Sequence, residues 1–197
     1  INIYFNEGQK AGKGREQLIA IFVNDCFFIR DYFKAKAWEM RDLFSDIEEH
    51  QRSSSARLVY FVCNYIDRFM MKNGLRDYTD QLIDCLNLFR QHAELVPEYE
   101  HVLIDEYQDV NSSQVELIDM LKPKNLFAVG DPRQSIFGWR GSDIRYILDF
   151  EKKYPECEVI ALTKNYRSTE HIVRLINEAI SKLKLPALES ANGGEMD

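Results

Sequence analysis

No stretch of this chain is apolar for anything near the ~20 residues that a helix needs to cross a bilayer, so no membrane partner is expected. Its start shows no charged-then-apolar leader, and position 1 is Ile rather than Met, so the chain is expected to begin inside a longer or processed product. Cysteine is sparse: Cys26, Cys63, Cys85 and Cys157 are scattered, none forms a C-x-x-C pair, and no histidines cluster with them. That pattern argues against zinc and for reduced, buried thiols in a cytoplasmic protein. An excess of positive charge is also missing. With a net charge of −7 the chain as a whole does not attract a polyanion, although a local basic groove remains compatible with that balance. What is there, 45% apolar and 29% charged residues over 197 positions, is the balance of an ordinary globular protein of one large or two small domains.

A phosphate loop is missing too. "GQKAGKGREQ", 8–17, follows the apolar run "INIYF" and has glycines and a lysine. A G-x-x-x-x-G-K-[ST] loop needs a longer glycine spacing, to wrap the phosphates in backbone N–H groups, and a hydroxyl after the lysine to reach Mg²⁺. Gly8 and Gly12 are too close together, and Lys13 is followed by Gly14, which has no hydroxyl. The stretch therefore reads as a polar loop before a helix, and no other stretch fits the pattern.

The first hundred residues read as helical. Glycine and proline are absent from Arg15 to Asn73. Leu18, Ile19, Phe22, Val23, Cys26 and Phe27, then Tyr32, Phe33, Ala37 and Trp38, recur near the helical period. A second set, Val62, Tyr65, Ile66, Phe69 and Met70, ends at Gly74, a natural C-terminal cap, and the polar "EEHQRSSS" between the two sets reads as a turn. A third helix is expected over roughly 79–91. Beyond Pro97 short apolar runs alternate with helical patterns. "HVLID", "NLFAVGD" and "CEVIAL" read as strands, and "SSQVELIDML", "SDIRYILDFEKKY" and "STEHIVRLINEAISKL" as helices. This alternation predicts an α/β fold with a parallel sheet. The final residues carry no core pattern.

Three stretches carry candidate chemistry. In an open parallel sheet, ligands gather at the carboxyl ends of strands. "VLIDEYQD" puts Asp105 and Glu106 at such an end, where one carboxylate can hold Mg²⁺ on nucleotide phosphates and the other orient or deprotonate a water. A solvated acidic strand end fits the same residues. "LFAVGDPRQSIFGWRGS" repeats the design with Asp131, and adds Gln134, whose neutral amide can sense a terminal phosphate. Trp139, between Gly138 and Arg140, can stack an unpaired base. Alternatively, Phe137 and Trp139 plug the core and Arg140 pairs with a carboxylate. "LTKNYRST" offers Tyr166 for stacking and Arg167 as a guanidinium for a transferring phosphate, or else only a helix start with a surface arginine.

Taken together, in this order and spacing, these stretches resemble the UvrD/Rep type of superfamily 1 DNA helicase. "VLIDEYQDVN" is similar to motif II of that family, "LFAVGDPRQSIFGWRGSD" to motif III and "LTKNYRST" to motif IV. "RDYTDQLI", 76–83, resembles the Asp-aromatic-x-Asp-Leu-Leu stretch ahead of motif II. The resemblance is strong from about Asp77 to Leu185 and faint before. It implies ATP and Mg²⁺ as cofactors, single-stranded and duplex DNA as partners, and movement from 3′ to 5′. Asp105 would coordinate Mg²⁺, Glu106 would activate the attacking water, and Gln134 would sense the γ-phosphate. Tyr166 would pack on the adenine and Arg167 would reach the γ-phosphate from a second lobe. Trp139, with Arg140 and Phe137, would contact DNA, while Gln108, counted with the nucleotide-binding residues, and Asp109 would support the junction between motifs. The implied architecture is a partial RecA-like P-loop NTPase lobe with a parallel sheet and an inserted helical subdomain. Residues 1–98 would be mainly the helical insertion, 99–153 the end of the first lobe, and 154–197 the start of the second.

The chain departs from that family where it has no phosphate loop, no DNA-contacting motif just after one, and no later motifs of the second lobe; Phe137 also stands where tyrosine is common. An internal piece of a larger helicase is the expectation, inactive alone and partnered by the remaining parts of the same protein. The alternatives are a non-catalytic, helicase-derived module that binds DNA or protein, and a helicase subunit of a recombination or defence nuclease system. Intact Asp105, Glu106, Gln134 and Arg167 favour a piece of an active enzyme.

Overall fold

The computed structural model describes residues 5, 7–41 and 54–192. The chain divides into two compact units, Ile1–Ile147 and Leu148–Asp197. Most of the polar stretch expected to be a turn, 48–53, lies outside the described residues.

The first unit opens with helices α1 (Glu7–Lys10), α2 (Arg15–Ala35), α3 (Ser54–Lys72) and α4 (Tyr78–Gln91). The periodic apolar residues up to Phe33 do form one helix, but it ends at Ala35, so Ala37, at φ 55°, and Trp38 of the expected set lie beyond it. Leu18, Phe22 and Cys26 are buried against Val59 and Cys63 of α3, together with Phe5. Each such side chain, fully buried, contributes about 1.5–3 kcal/mol. On α3 the buried stripe differs from the expected one. Val59 and Cys63 are inside, Val62 and Ile66 pack partly against them, and Tyr65 and Phe69 are exposed. A 3.6-residue period fixes the width of an apolar face, and an aromatic-rich helix has two overlapping candidates for it.

Charge also binds these helices. Arg30 of α2 is buried among carboxylates: Nε donates to Asp67 Oδ1 at 2.5 Å, Nη1 to Asp77 Oδ2 at 2.5 Å, and Nη2 to both oxygens of Asp80 at 3.0 Å. Lys34 adds an ion pair to Asp80 and another to Asp67 at 3.2 Å. Burial works against the Arg30 charge, but the hydrogen bonds to Asp77 and Asp67 outweigh it and leave the guanidinium more firmly protonated than usual. Asp77 and Asp80 also form the cap of α4: Asp80 N donates to Asp77 Oδ1 at 2.6 Å and Asp77 N to Asp80 Oδ2 at 3.3 Å. The start of α4 is thus tied to α2 through the same two acids, and α3 joins through Asp67, which pairs with Arg30 and Lys34.

After α4 come strand β1 (His101–Ile104), helix α5 (Ser112–Leu121) and strand β2 (Asn125–Ala128). The strands pair in parallel, with Val102 opposite Leu126 and Ile104 opposite Ala128. Parallel neighbours need a crossover, which α5 supplies. It starts where the sequence places it, capped by Asn111, whose Oδ1 accepts from Gln114 N at 3.0 Å. The expected helix over 142–154 is broken instead into α6 (Arg145–Leu148) and α7 (Phe150–Lys153), with Asp149 between them out of helical geometry at ψ 13°.

In the second unit, β3 (Lys164–Thr169) is followed by α8 (Glu170–Ala179) and β4 (Glu189–Asn192). The expected strand "CEVIAL" is irregular, and its Val159 and Ile160 are exposed. Among the described residues no strand pairs with it. The polar "KNYRST" forms the strand instead, because 189–192 lie beside it in parallel. The result is a mixed α/β chain of small parallel sheets and several helices.

Candidate functional site

The ends of β1 and β2 are joined before any functional side chain is reached. Val129 N donates to Ile104 O and Tyr107 N to Val129 O, both at 2.8 Å. This continues the ladder past the strands and brings the acid-bearing loops together. Asp105 and Glu106 are exposed at the tip of β1. Glu106 takes a left-handed conformation, φ 53° and ψ 43°, which costs a residue with a Cβ roughly 1–2 kcal/mol. Hydrogen bonds hold it there: Asp105 Oδ1 accepts from Glu106 N at 2.9 Å, and Gln108 Nε2 donates to Glu106 Oε2 at 2.7 Å.

Gln108 is the hub. Only 1% exposed, it donates through Nε2 to Glu106 and to Asp109 Oδ2, the latter at 3.1 Å, and its Oε1 accepts from Asp131 N at 3.0 Å. Its backbone carbonyl accepts from Ser135 Oγ at 3.1 Å. Asp131 then receives Arg133 N on Oδ1 at 3.0 Å and Gln134 Nε2 on Oδ2 at 3.1 Å. A continuous hydrogen-bonded path therefore runs Glu106–Gln108–Asp131–Gln134, from one strand end to the next. Gly130 makes the approach possible. A Cβ there would lie 2.7 Å from Gln108 Oε1, 2.9 Å from Ile147 Cδ1 and 3.0 Å from Gln108 N.

Among the described residues no group of three or more His, Cys, Asp and Glu side chains could hold a metal on its own. The donors at the β1 tip are hard carboxylate oxygens, which suits Mg²⁺. That ion is normally held by one or two carboxylates together with substrate phosphates rather than by an all-protein cage. Asp105 and Glu106 fit it in that sense.

Loop residues 137–141 form a second part of the site. Trp139 is half exposed, at 51%, and so is not a core plug. The Arg140 guanidinium lies 4.6 Å from the Trp139 ring centre and 5.3 Å from that of Phe137. The loop is pressed onto α2. Gly141 has φ +88°, and a Cβ there would meet Ala35 Cβ at 2.8 Å. Ser113 Oγ of α5 adds a hydrogen bond to Lys34 O at 2.9 Å. Just beyond, Asp143 binds Arg145, an interaction that holds its carboxyl down to about pKa 2, with Lys36 helping more weakly.

Tyr166 and Arg167 belong to the second unit. Both are exposed on β3. Asn165, which the sequence reading passed over, shapes this stretch: its Oδ1 accepts from Arg167 N at 2.9 Å and Ser168 N at 2.8 Å. Asn192 Nδ2 donates to Tyr166 O at 2.8 Å. The structure thus unites Glu106, Gln108, Asp131 and Gln134 by hydrogen bonds and Phe137, Trp139 and Arg140 by ring contacts. It places Tyr166 and Arg167 side by side in the other unit.

The family model described as the UvrD/REP helicase N-terminal domain matches residues 23–155. The chain is 39% identical over 158 residues to an ATP-dependent DNA helicase PcrA of Staphylococcus epidermidis, covering 76% of this chain and 22% of that protein. An ATP-dependent DNA helicase PcrA of Staphylococcus aureus is likewise 39% identical, over 157 residues, covering 75% of this chain and 22% of its own length. The chain thus spans about a fifth of the length of these curated relatives.

Proposed function

This chain belongs to the UvrD/REP helicase family, and from that membership we propose that it is part of an ATP-dependent DNA helicase that moves 3′ to 5′ along single-stranded DNA. In this reading β1 and β2 belong to a RecA-like lobe, residues 1–98 are mainly its helical insertion, and 154–197 begin a second lobe. Asp105 holds Mg²⁺ beside the nucleotide, and Glu106 accepts the proton of the attacking water. Bound Mg²⁺ would supply charge neutralisation on the phosphates. Gln134 reads the terminal phosphate, and Trp139 with Arg140 and Phe137 carries the strand. Tyr166 packs on the adenine, and Arg167 supplies a guanidinium to the phosphate being transferred.

The observation that supports this best is the path Glu106–Gln108–Asp131–Gln134. A change at Gln134 reaches the catalytic carboxylate through Gln108 and Asp131, and Gln134 lies on the same loop as Trp139. Nucleotide state and strand contact are thereby linked in one hydrogen-bonded network that passes through the backbone N–H of Asp131. In the full-length protein, Glu106→Gln is expected to lower kcat for DNA-stimulated ATP hydrolysis about 10²–10⁴-fold, with single-strand affinity unchanged. The 197 residues alone, which contain no phosphate loop, are expected to hydrolyse ATP at background rate, because the backbone cradle for the phosphates is a main electrostatic contribution. Undiminished turnover by Glu106→Gln would refute the catalytic assignment, and helicase-like turnover by the 197 residues would refute the part assigned to the missing loop.

A further inference from the structure

The ring system at Trp139 does not stop at the loop that carries it. Phe28, on α2, is stacked with Trp139 at 6.2 Å between centroids and 18° between planes. Tyr32, one turn further along α2, continues the row at 6.4 Å and 24° from Phe28. Trp38 closes it, edge-on to Tyr32 at 6.0 Å and 76°. Phe28 is 46% exposed and Trp38 50%, so the row is open to solvent along much of its length.

We propose that Phe28 and Tyr32 extend the base-stacking surface of Trp139 onto the helical insertion, so that α2 is part of the track for single-stranded DNA. The inference rests on the reading of Trp139 as a strand contact and adds residues that the motifs do not contain. Three observations commit the surface to a single strand rather than to a protein face. Trp139, Phe28 and Tyr32 lie nearly parallel in sequence along the row, which is the arrangement that receives successive unpaired bases, since every base has a π-face. An exposed cation lies at one end, Arg140 at 4.6 Å from the Trp139 ring centre, while Lys36 Nζ, 5.9 Å from the Tyr32 ring centre, is shared with Asp143 at 3.9 Å. The row is also held to its loop by the close Gly141–Ala35 approach, and α2 is tied in turn to α5 by the Ser113–Lys34 hydrogen bond, so stacking would not have to bring loop and helix together first. Leucine at position 28 would keep the apolar packing against Trp139 and remove the π-face.

The test is fluorescence anisotropy of a labelled oligo-dT against the 197-residue chain, through a salt series. Phe28→Leu is expected to weaken binding about tenfold, in line with the stacking of a single base, while leaving the salt slope unchanged because no phosphate contact is lost. Phe28→Tyr is expected to restore affinity, and Trp139→Ala to weaken binding independently. Thermal melts of each variant separate stacking from folding. Affinity unaffected by Phe28→Leu but lost with Trp139→Ala would overturn this inference and leave the Trp139 assignment standing. Affinity indifferent to both would overturn both, as would equal affinity for a blunt duplex. Self-association through this face without DNA binding would also overturn the inference.

Discussion

At the scale of single residues, the site depends on how closely the Gly130 backbone can approach Gln108. Gly130 lies where a methyl group would intrude on Gln108 from its amide nitrogen and its side-chain oxygen, and on Ile147. The two nearest atoms are side-chain ends, but Gln108 Oε1 is held by Asp131 N and the Gln108 backbone nitrogen at 3.0 Å must give as well, so Gly130→Ala is expected to displace the Gln108 side chain and shift the loop that carries it. It is expected to cost about 1–3 kcal/mol, read as a lower midpoint in urea unfolding. It should also loosen the Gln108–Asp131 contact, so in the full-length protein ATP turnover should fall by more than the loss of folded molecules explains. A wild-type midpoint would show that the loops relax around the extra carbon. The position of the acids was legible in the sequence, because an apolar run that ends abruptly in carboxylates marks a strand end, although β1 and β2 are not buried strands: Leu103 and Phe127 are exposed. The hub was less so. Gln108 could be assigned a supporting place between motifs, but its partners depend on the register that puts Ile104 opposite Ala128. Phe28 was invisible for a different reason: it is one phenylalanine among several on an aromatic helix, and only the packing of loop 137–141 on α2 singles it out.

At the scale of elements, the helical part is held by an apolar seam and by a charge cluster whose contributions respond differently to pH. Arg30→Met would keep much of the side-chain volume but leave Asp31, Asp67, Asp77 and Asp80 around a neutral group, with Lys34 still paired to Asp67 and Asp80. Removing one partner of a buried ion cluster costs about 3–5 kcal/mol, and chemical unfolding of the chain at neutral pH should show a loss of that order. The carboxyl of Asp80 faces burial, which alone would raise its pKa, but the Lys34 hydrogen bond and its other charged partners hold it below the ordinary value. A carboxylate with a depressed folded pKa contributes stability above its unfolded pKa and loses it as pH falls through the folded one. The gap between Arg30→Met and wild type should therefore narrow as pH drops below about 4, as protonation relieves the unpaired acids. A gap that stays constant with pH would mean that Arg30 contributes packing alone. The starts of α4 and α5 were legible to within a residue, and the structure adds their caps, Asp77 and Asn111, whereas the helix expected from 142 begins only at Arg145. Strands were legible only where a partner exists. "CEVIAL" has the composition of a strand without an observed neighbour, and "KNYRST" becomes one despite its polarity because 189–192 pair with it. Pairing over more than twenty residues of sequence leaves no local pattern to read.

At the scale of the whole molecule, the candidate site residues are divided between the two compact units: the carboxylates Asp105 and Glu106 belong to the first and the guanidinium of Arg167 to the second. Under the proposed function both act on one nucleotide in the full-length protein, and that division can be tested apart from stability. Arg167 is exposed, and its local conformation is set by backbone hydrogen bonds to Asn165 rather than by its own side chain. Arg167→Ala should leave the unfolding midpoint of the 197 residues within about 0.5 kcal/mol of wild type. In the full-length protein it should lower kcat about 10³-fold or more, the scale of a guanidinium that neutralises charge developing on a transferring phosphate. KM for ATP should move far less than kcat, because such a contact strengthens in the transition state. Arg167→Lys should recover only a small part of the rate, since an ammonium keeps the charge but loses the planar fork. Asn165→Ala provides the complementary case: it keeps the guanidinium but releases the backbone amides of Arg167 and Ser168, so an intermediate loss in kcat is expected. Equal kcat in Arg167→Ala and wild type would leave the second unit without a part in hydrolysis and confine the catalytic groups to the strand ends of the first.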